Sequence, residues 1–354
     1  MANILEKLKK NCRIKEAEVL AESSFYAEKD VTSTSVPMIN VALSGSIDGG
    51  LTSGLTVLAG PSKHFKTSFA LLMASAYLKK YPEAALMFYD SEFGSPQQYF
   101  ESFGIDTSRV LHIPIKNIEE LKFDIVHQLE AVERTDKVII VIDSVGNLAS
   151  KKELEDAMNE KSVADMTRAK SLKALFRMVT PYLTMKNIPL LAINHTYQTQ
   201  EMYSKAVVSG GTGITYSADN IWIIGRQQDK EGTEIQGYHF IINVEKSRFV
   251  KEKSKIPISV SWEGGVQKWS GLLDIALEGG FVVKPKNGWY AAYDPAAKTE
   301  LSGNLRAAQT LTKEFWETVF TKTAFASYIK QKYTIGLRDM IDDSVEEVAQ
   351  DDEE

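Results

Sequence analysis

Apolar runs of about six residues recur along the first two-thirds of this chain, and amphipathic stretches separate them. LTVLAG (within 51–60), ALMFYD (85–90), VIIVID (138–143), IPLLAIN (188–194) and NIWIIG (220–225) read as strands buried on both faces. Residues 67–80, 117–134 and 162–180 carry apolar positions at helical spacing and predict helices. Continuous apolar strands alternating with helices predict an α/β fold whose mostly parallel sheet is flanked by helices. Ligands in such sheets bind beyond the carboxyl ends of the strands. After about residue 226 the pattern changes. HFIINVEKS (239–247) and IPISVSW (256–262) alternate and predict paired strands. Beyond Gly271 shorter helices are interrupted by PKNGW (285–289), a turn signal, so a small C-terminal domain is expected over 271–338. At the other end Ile4, Leu5, Leu8, Val19 and Leu20 recur at helical spacing among charged residues over 1–20, and the division expected is an arm over 1–30 ahead of a core over 31–270.

Charge divides the chain unevenly. The net charge is −6, yet residues 339–354 hold nine acidic side chains and no basic one. The rest carries 41 basic against 38 acidic residues. The acidic end reads as a disordered solubilising tail or as a competitor for a basic surface; composition leaves both open. No apolar run approaches the roughly 18 residues of a membrane span, and the charged N-terminus lacks a leader's apolar stretch. One cysteine, Cys12, excludes an intramolecular disulfide framework and a cysteine-based zinc site. The expected compartment is the cytoplasm.

The candidate chemistry sits at strand ends. Gly60-Pro61-Ser62-Lys63-His64-Phe65-Lys66-Thr67-Ser68 follows the first buried strand and opens a helix, the setting of a phosphate-binding loop. Loop N–H groups would cradle phosphate, Lys66 would neutralise its charge and the Thr67 hydroxyl would ligate Mg²⁺. Phe65 stands where the pattern expects glycine, so its side chain must point away from the phosphates. The alternative is a chance Lys-Thr pair after a glycine turn. Asp143 ends an apolar strand and would reach the same magnesium through water. Glu92 follows another strand and could orient or deprotonate a water, though a solvated loop carboxylate reads the same way. Asp90 could support it or belong to the core. His195 ends a further strand, as a structural polar group or as a sensor of the terminal phosphate.

GPSKHFKT, FYDSEFG, VIIVIDSVGNLASKKE, IPLLAINHT and SGGTGITYSADNIWIIG, in this order, resemble the RecA recombinases. With VADMTRAK (163–170), NVEKSRFVKEKSK (243–255) and KPKNGWY (284–290), the chain is most similar to the UvsX recombinases of large tailed phages. The likeness spans about residues 25–290. It implies a RecA-like ATPase core with an N-terminal polymerisation arm and a small C-terminal domain. It also implies ATP and Mg²⁺ as cofactors, and host cytoplasm if the chain is phage-encoded. By resemblance Lys66 and Thr67 match the ATP and magnesium residues, Glu92 the catalytic glutamate, Asp143 the magnesium-associated aspartate and Tyr99 the adenine-stacking tyrosine. Lys246 and Arg248 match residues that reach the ATP of a neighbouring subunit. His195 replaces the glutamine usual in bacterial RecA, which makes that position titratable.

Two loops are the expected DNA contacts. The first, 149–164, carries Lys151, Lys152 and Lys161, with Arg168 one turn into the next helix. The second, 196–212, carries Tyr197, Met202, Tyr203, Lys205, Gly210 and Gly211. Lysines neutralise phosphates, aromatic rings stack on bases and glycines let backbone approach the strand. The function implied is a helical filament on single-stranded DNA that pairs it with homologous double-stranded DNA. Single-strand binding protein and a recombination mediator are the partners the resemblance implies, and no membrane. The rival readings are a ring-forming helicase or translocase of the same fold and a nucleotide-binding scaffold that ignores DNA.

Overall fold

The computed structural model describes residues 4–14, 16–23, 30–159, 167–198, 206–231 and 234–336. Helices α1 (Ile4–Asn11) and α2 (Pro37–Ser44) precede the first strand. Then β1 (Gly54–Ala59), α3 (Lys66–Lys80), β2 (Ala85–Asp90), α4 (Gln97–Ser102), β3 (Val110–Pro114), α5 (Ile118–Ala131) and β4 (Val138–Asp143) follow in alternation. Next come α6 (Lys151–Met158), α7 (Thr167–Met185), β5 (Pro189–Asn194), the hairpin β6 (Thr196–Gln198) and β7 (Ala206–Val208), and α8 (Thr212–Ser217). Strands β8 (Asn220–Glu231), β9 (Glu234–Ser247), β10 (Lys255–Ser261) and β11 (Gly265–Val266) form a meander. The C-terminal part holds α9 (Leu272–Glu278), β12 (Val282–Lys286), β13 (Trp289–Asp294), β14 (Thr299–Glu300), α10 (Lys313–Lys322) and α11 (Phe325–Tyr333).

Among the described residues nine strands make one sheet in the order β11-β10-β9-β8-β1-β5-β4-β2-β3. The six from β8 to β3 are parallel, and β8 to β11 are antiparallel. Every residue of β1, β4 and β5 is buried, because apolar layers cover both faces. On one face Leu58, Val141 and Ile193 meet Phe69 and Met73 of α3. On the other Val57, Ile140 and Ala192 meet Leu121 and Ile125 of α5 and Leu172 and Phe176 of α7. This two-sided cover is why the strands lack polar alternation.

Several boundaries differ from the sequence reading. Helix α1 ends at Asn11, and Leu20 opens a short 3₁₀ turn instead of continuing a helix. With Ile4, Leu5 and Leu8 all exposed, no packed face extends the helix. Helix α7 runs through Pro181 to Met185, held by buried Val179 and Leu183, while residues 160–166 lie outside the described set. The segment after Gly271 forms its own three-stranded sheet. Its Trp316, Phe325, Ile329 and Tyr333 nonetheless share an apolar cluster with the main sheet. Lys251 N donates to Tyr333 O at 2.8 Å, tying the last helix to the meander. The acidic tail, 339–354, lies outside the described residues.

Candidate active site

The loop between β1 and α3 holds two residues in the left-handed region, Lys63 at φ 61° and Phe65 at φ 60°. A side chain there costs about 1 kcal/mol that glycine avoids. The Phe65 ring offsets it by stacking on Phe240 of β9 at 5.1 Å and meeting Phe69 edge-on at 5.2 Å. The ring thus turns toward β9, as the sequence required. His64 Nδ1 lies 2.8 Å from Ser62 O, and Arg226 donates to Lys63 O at 3.1 Å, bracing the loop from β8.

Behind the loop lies a cleft of about 540 Å³ lined by Ser62 to Ser68, Glu92, Tyr99, Asp143, His195, Arg226 and Tyr238, among others. Buried Lys66 donates from Nζ to Pro61 O at 2.7 Å. Burial lowers its pKa, opposed by Glu92 and Asp143. The Thr67 hydroxyl donates to Asp143 Oδ2 at 2.8 Å. Asp143 Oδ1 is buried with no hydrogen-bond partner among the described residues. Burial pushes the Asp143 carboxyl up to about 6, against the Thr67 hydrogen bond and with reinforcement from Glu92 and Asp90. A buried anionic oxygen without a donor, beside a hydroxyl, suits a hard divalent cation such as Mg²⁺. Tyr99 sits on the cleft wall, hydrogen-bonded through its hydroxyl to Ser68 and edge-on to Phe103 at 5.4 Å.

Glu92 is held from three sides. Its Oε1 accepts from Ser144 Oγ at 2.5 Å and Asn147 Nδ2 at 2.9 Å, and lies 3.1 Å from His195 Nε2. The His195 hydrogen bond is the largest cause holding its pKa below the usual carboxylate range. Asp90 builds the turn beneath: its Oδ1 accepts from Glu92 N at 3.0 Å and Phe93 N at 2.7 Å. Gly146 permits the His195 approach, because a Cβ there would lie 2.5 Å from His195 Cδ2. Asn194 ties the end of β5 to the hairpin, accepting from His195 N at 2.8 Å and donating to Ser209 O at 2.8 Å.

The other expected residues lie outside the cleft. Lys246 donates to Thr215 O at 2.8 Å and Tyr216 O at 3.2 Å, at the C-terminal end of α8. Arg248 pairs with Asp219, and neither basic residue lines the cleft of its own chain. Lys151 and Lys152 are exposed on α6, and Tyr197 is exposed on β6. Gly210 and Gly211 adopt φ 94° and 78° just before α8. Arg168 faces inward: Nε donates to Leu148 O at 2.8 Å, and Nη2 to Val145 O at 3.2 Å and Gly146 O at 2.8 Å. Lys161, Met202, Tyr203 and Lys205 lie outside the described residues. Sequence reasoning missed Ser144, Gly146, Asn147, Arg226 and Tyr238. Arg226 had a legible signal, a basic residue directly after the apolar run 220–225; the others had none.

Comparison with known proteins agrees with this architecture. A family model described as the RecA N-terminal domain matches residues 2–267. One described as the C-terminal domain of the bacteriophage T4 recombination and repair protein matches residues 269–329. The chain is 53% identical over 343 residues to the recombination and repair protein of Enterobacteria phage T4, covering 96% of this chain and 88% of that protein. It is 28% identical over 267 residues to RecA of Chloroherpeton thalassium, covering 72% of each. Against RecA of Synechococcus sp. it is 28% identical over 250 residues, covering 70% of this chain and 64% of that protein.

Proposed function

The chain belongs to the RecA family of recombinases, and from that premise we propose that the cleft beyond β1 holds ATP with Mg²⁺ and hydrolyses it when the protein lies on single-stranded DNA. Recombination and repair is its function, and its relatives do not favour the ring-forming helicase. The observation carrying the ATP reading is the buried, donorless Oδ1 of Asp143, set beside the Thr67 hydroxyl at the start of α3.

In this reading Lys66 exchanges Pro61 O for a phosphate oxygen, and the loop N–H groups with the start of α3 receive the rest. Thr67 and Asp143 hold magnesium, which when bound neutralises charge on the phosphates. Tyr99 offers its ring to adenine. Glu92 orients the attacking water and takes its proton. His195, bonded to Glu92 and continuous with the β6–β7 hairpin, senses the terminal phosphate. Lys246 and Arg248 reach the ATP of an adjoining subunit and stabilise transferred charge. Head-to-tail contacts of this kind build an open helix.

Residues 149–164 and 196–212 contact DNA, through Lys151, Lys152, Tyr197, Lys205 and the backbone at Gly210 and Gly211. Homologous double-stranded DNA is the second substrate, with single-strand binding protein and a loading mediator as partners in the cytoplasm. No helix among the described residues is long and apolar enough to cross a membrane. The test is ATP turnover with and without single-stranded DNA. DNA should raise it, and Lys66→Ala should abolish it. Equal rates in the Lys66→Ala variant and the parent would reject the site.

A further inference from the structure

We propose that Asn147 is a positioning residue that restrains Glu92 in the DNA-free protein, and that Arg168 carries the state of the first DNA loop to it. The inference rests on the reading of Glu92 as the residue that handles the attacking water. Glu92 Oε1 meets donors from Ser144, Asn147 and His195, three groups sharing an oxygen with two lone pairs. Together the three bonds pin the carboxylate in one orientation, so turning it toward a water requires at least one of them to let go.

The three donors come from two routes. His195 leads directly into the β6–β7 hairpin, the start of the second candidate DNA loop. Asn147 stands two residues before the first, and its side chain is exposed. The backbone around Asn147 is gripped by Arg168, whose guanidinium takes the carbonyls of Val145, Gly146 and Leu148. Those carbonyls flank Asn147 on both sides, so a shift of Arg168 moves the amide relative to Glu92.

Arg168 is the second residue of α7, the helix that follows the first candidate loop in the chain. Helix α6, which opens that loop, has no fully buried residue and can be displaced at little packing cost. The start of α6 and the start of α7 are joined by Glu119, which accepts from Lys151 N at 2.8 Å and from Ser171 Oγ at 2.8 Å. DNA that engages α6 therefore pulls on the start of α7. Arg168 passes the shift to residues 145–148, and Asn147 leaves Oε1. The phosphate contact expected of Arg168 from sequence becomes a mechanical one within the protein.

The experiment uses the full chain, with ATP turnover measured at saturating ATP with and without single-stranded DNA. For Asn147→Ala the DNA-free kcat should rise about fivefold, the scale of one partly exposed hydrogen bond. The DNA-saturated kcat and the KM for ATP should stay close to the parent, so the stimulation ratio falls by the same factor. Arg168→Lys, which keeps the charge and loses the fork, should shift the ratio in the same direction; it decides the matter if the first variant fails to fold. An unchanged ratio overturns the proposal. So does a parallel fall of both rates, which would mean that Asn147 merely holds Glu92 in its working place. Glu92→Gln is run beside them. If that variant hydrolyses ATP at the parental rate, the reading of the site fails, and this inference falls with it for a separate reason.

Discussion

Replacing Asp143 by Asn should stabilise the protein at neutral pH when neither nucleotide nor magnesium is present. The Asp143 carboxyl is raised from its ordinary 3.8 to about 6, with burial the largest cause. The folded chain therefore binds this proton more tightly than the unfolded chain does. The associated stability is complete below about pH 4 and is lost as pH rises through about 6. Two pH units correspond to about 3 kcal/mol, which is the strain of keeping a buried, partly unsatisfied carboxylate charged. An asparagine keeps an oxygen to accept from Thr67 and carries no charge. Urea denaturation of parent and variant is run in parallel from pH 4.5 to 7.5, so that titrations not coupled to Asp143 cancel in the difference. The variant should gain on the parent by about 3 kcal/mol at pH 7.5 and by only about 1 kcal/mol at pH 4.5. Adding ATP with magnesium should reverse the order at pH 7.5, because only the parent carboxylate rewards the cation. A variant less stable than the parent at pH 7.5 without ligand would refute the reasoning.

Three further outcomes follow from particular contacts. Phe65→Gly relieves a left-handed φ but removes the ring from Phe240 and Phe69, so the protein should lose about 1–2 kcal/mol while its affinity for ATP changes little; a gain in the denaturation midpoint would contradict the packing account. Gly146→Ala places a methyl 2.5 Å from His195 Cδ2 and should push the imidazole off Glu92. DNA stimulation of ATP turnover should drop, together with a loss of about 1–3 kcal/mol because the methyl also lies 3.1 Å from His195 N, and an unaltered ratio would separate His195 from that signal. Asn194→Ala leaves the carbonyl of Ser209 and the N–H of His195 without their side-chain partner, which should cost about 1–3 kcal/mol. Hydrogen exchange at residues 206–209 reports it, and unchanged protection there would count against Asn194 as the tie.

The sequence by itself determined the layers and singled out the candidate residues at their ends. Buried strands covered on both faces leave continuous apolar runs, so β1, β4 and β5 were legible to within a residue or two. Lys66, Thr67, Glu92, Asp143 and His195 were legible because each stands just past such a run, where a parallel sheet presents its polar ends. Tertiary structure alone decided which of them touch. Ser144, Asn147 and His195 reach Glu92 across 52, 55 and 103 residues of chain. That meeting depends on the strand order β5-β4-β2, which local periodicity does not encode. Phe65 could occupy a glycine position because Phe240 arrives from the distant β9 to receive its ring. Arg168 looked like a surface cation for DNA, since charge and helical phase say nothing of three carbonyls waiting 20 to 23 residues earlier. Local pattern reports whether a residue is buried, while its partner is set by crossovers between strands that only the folded chain brings side by side.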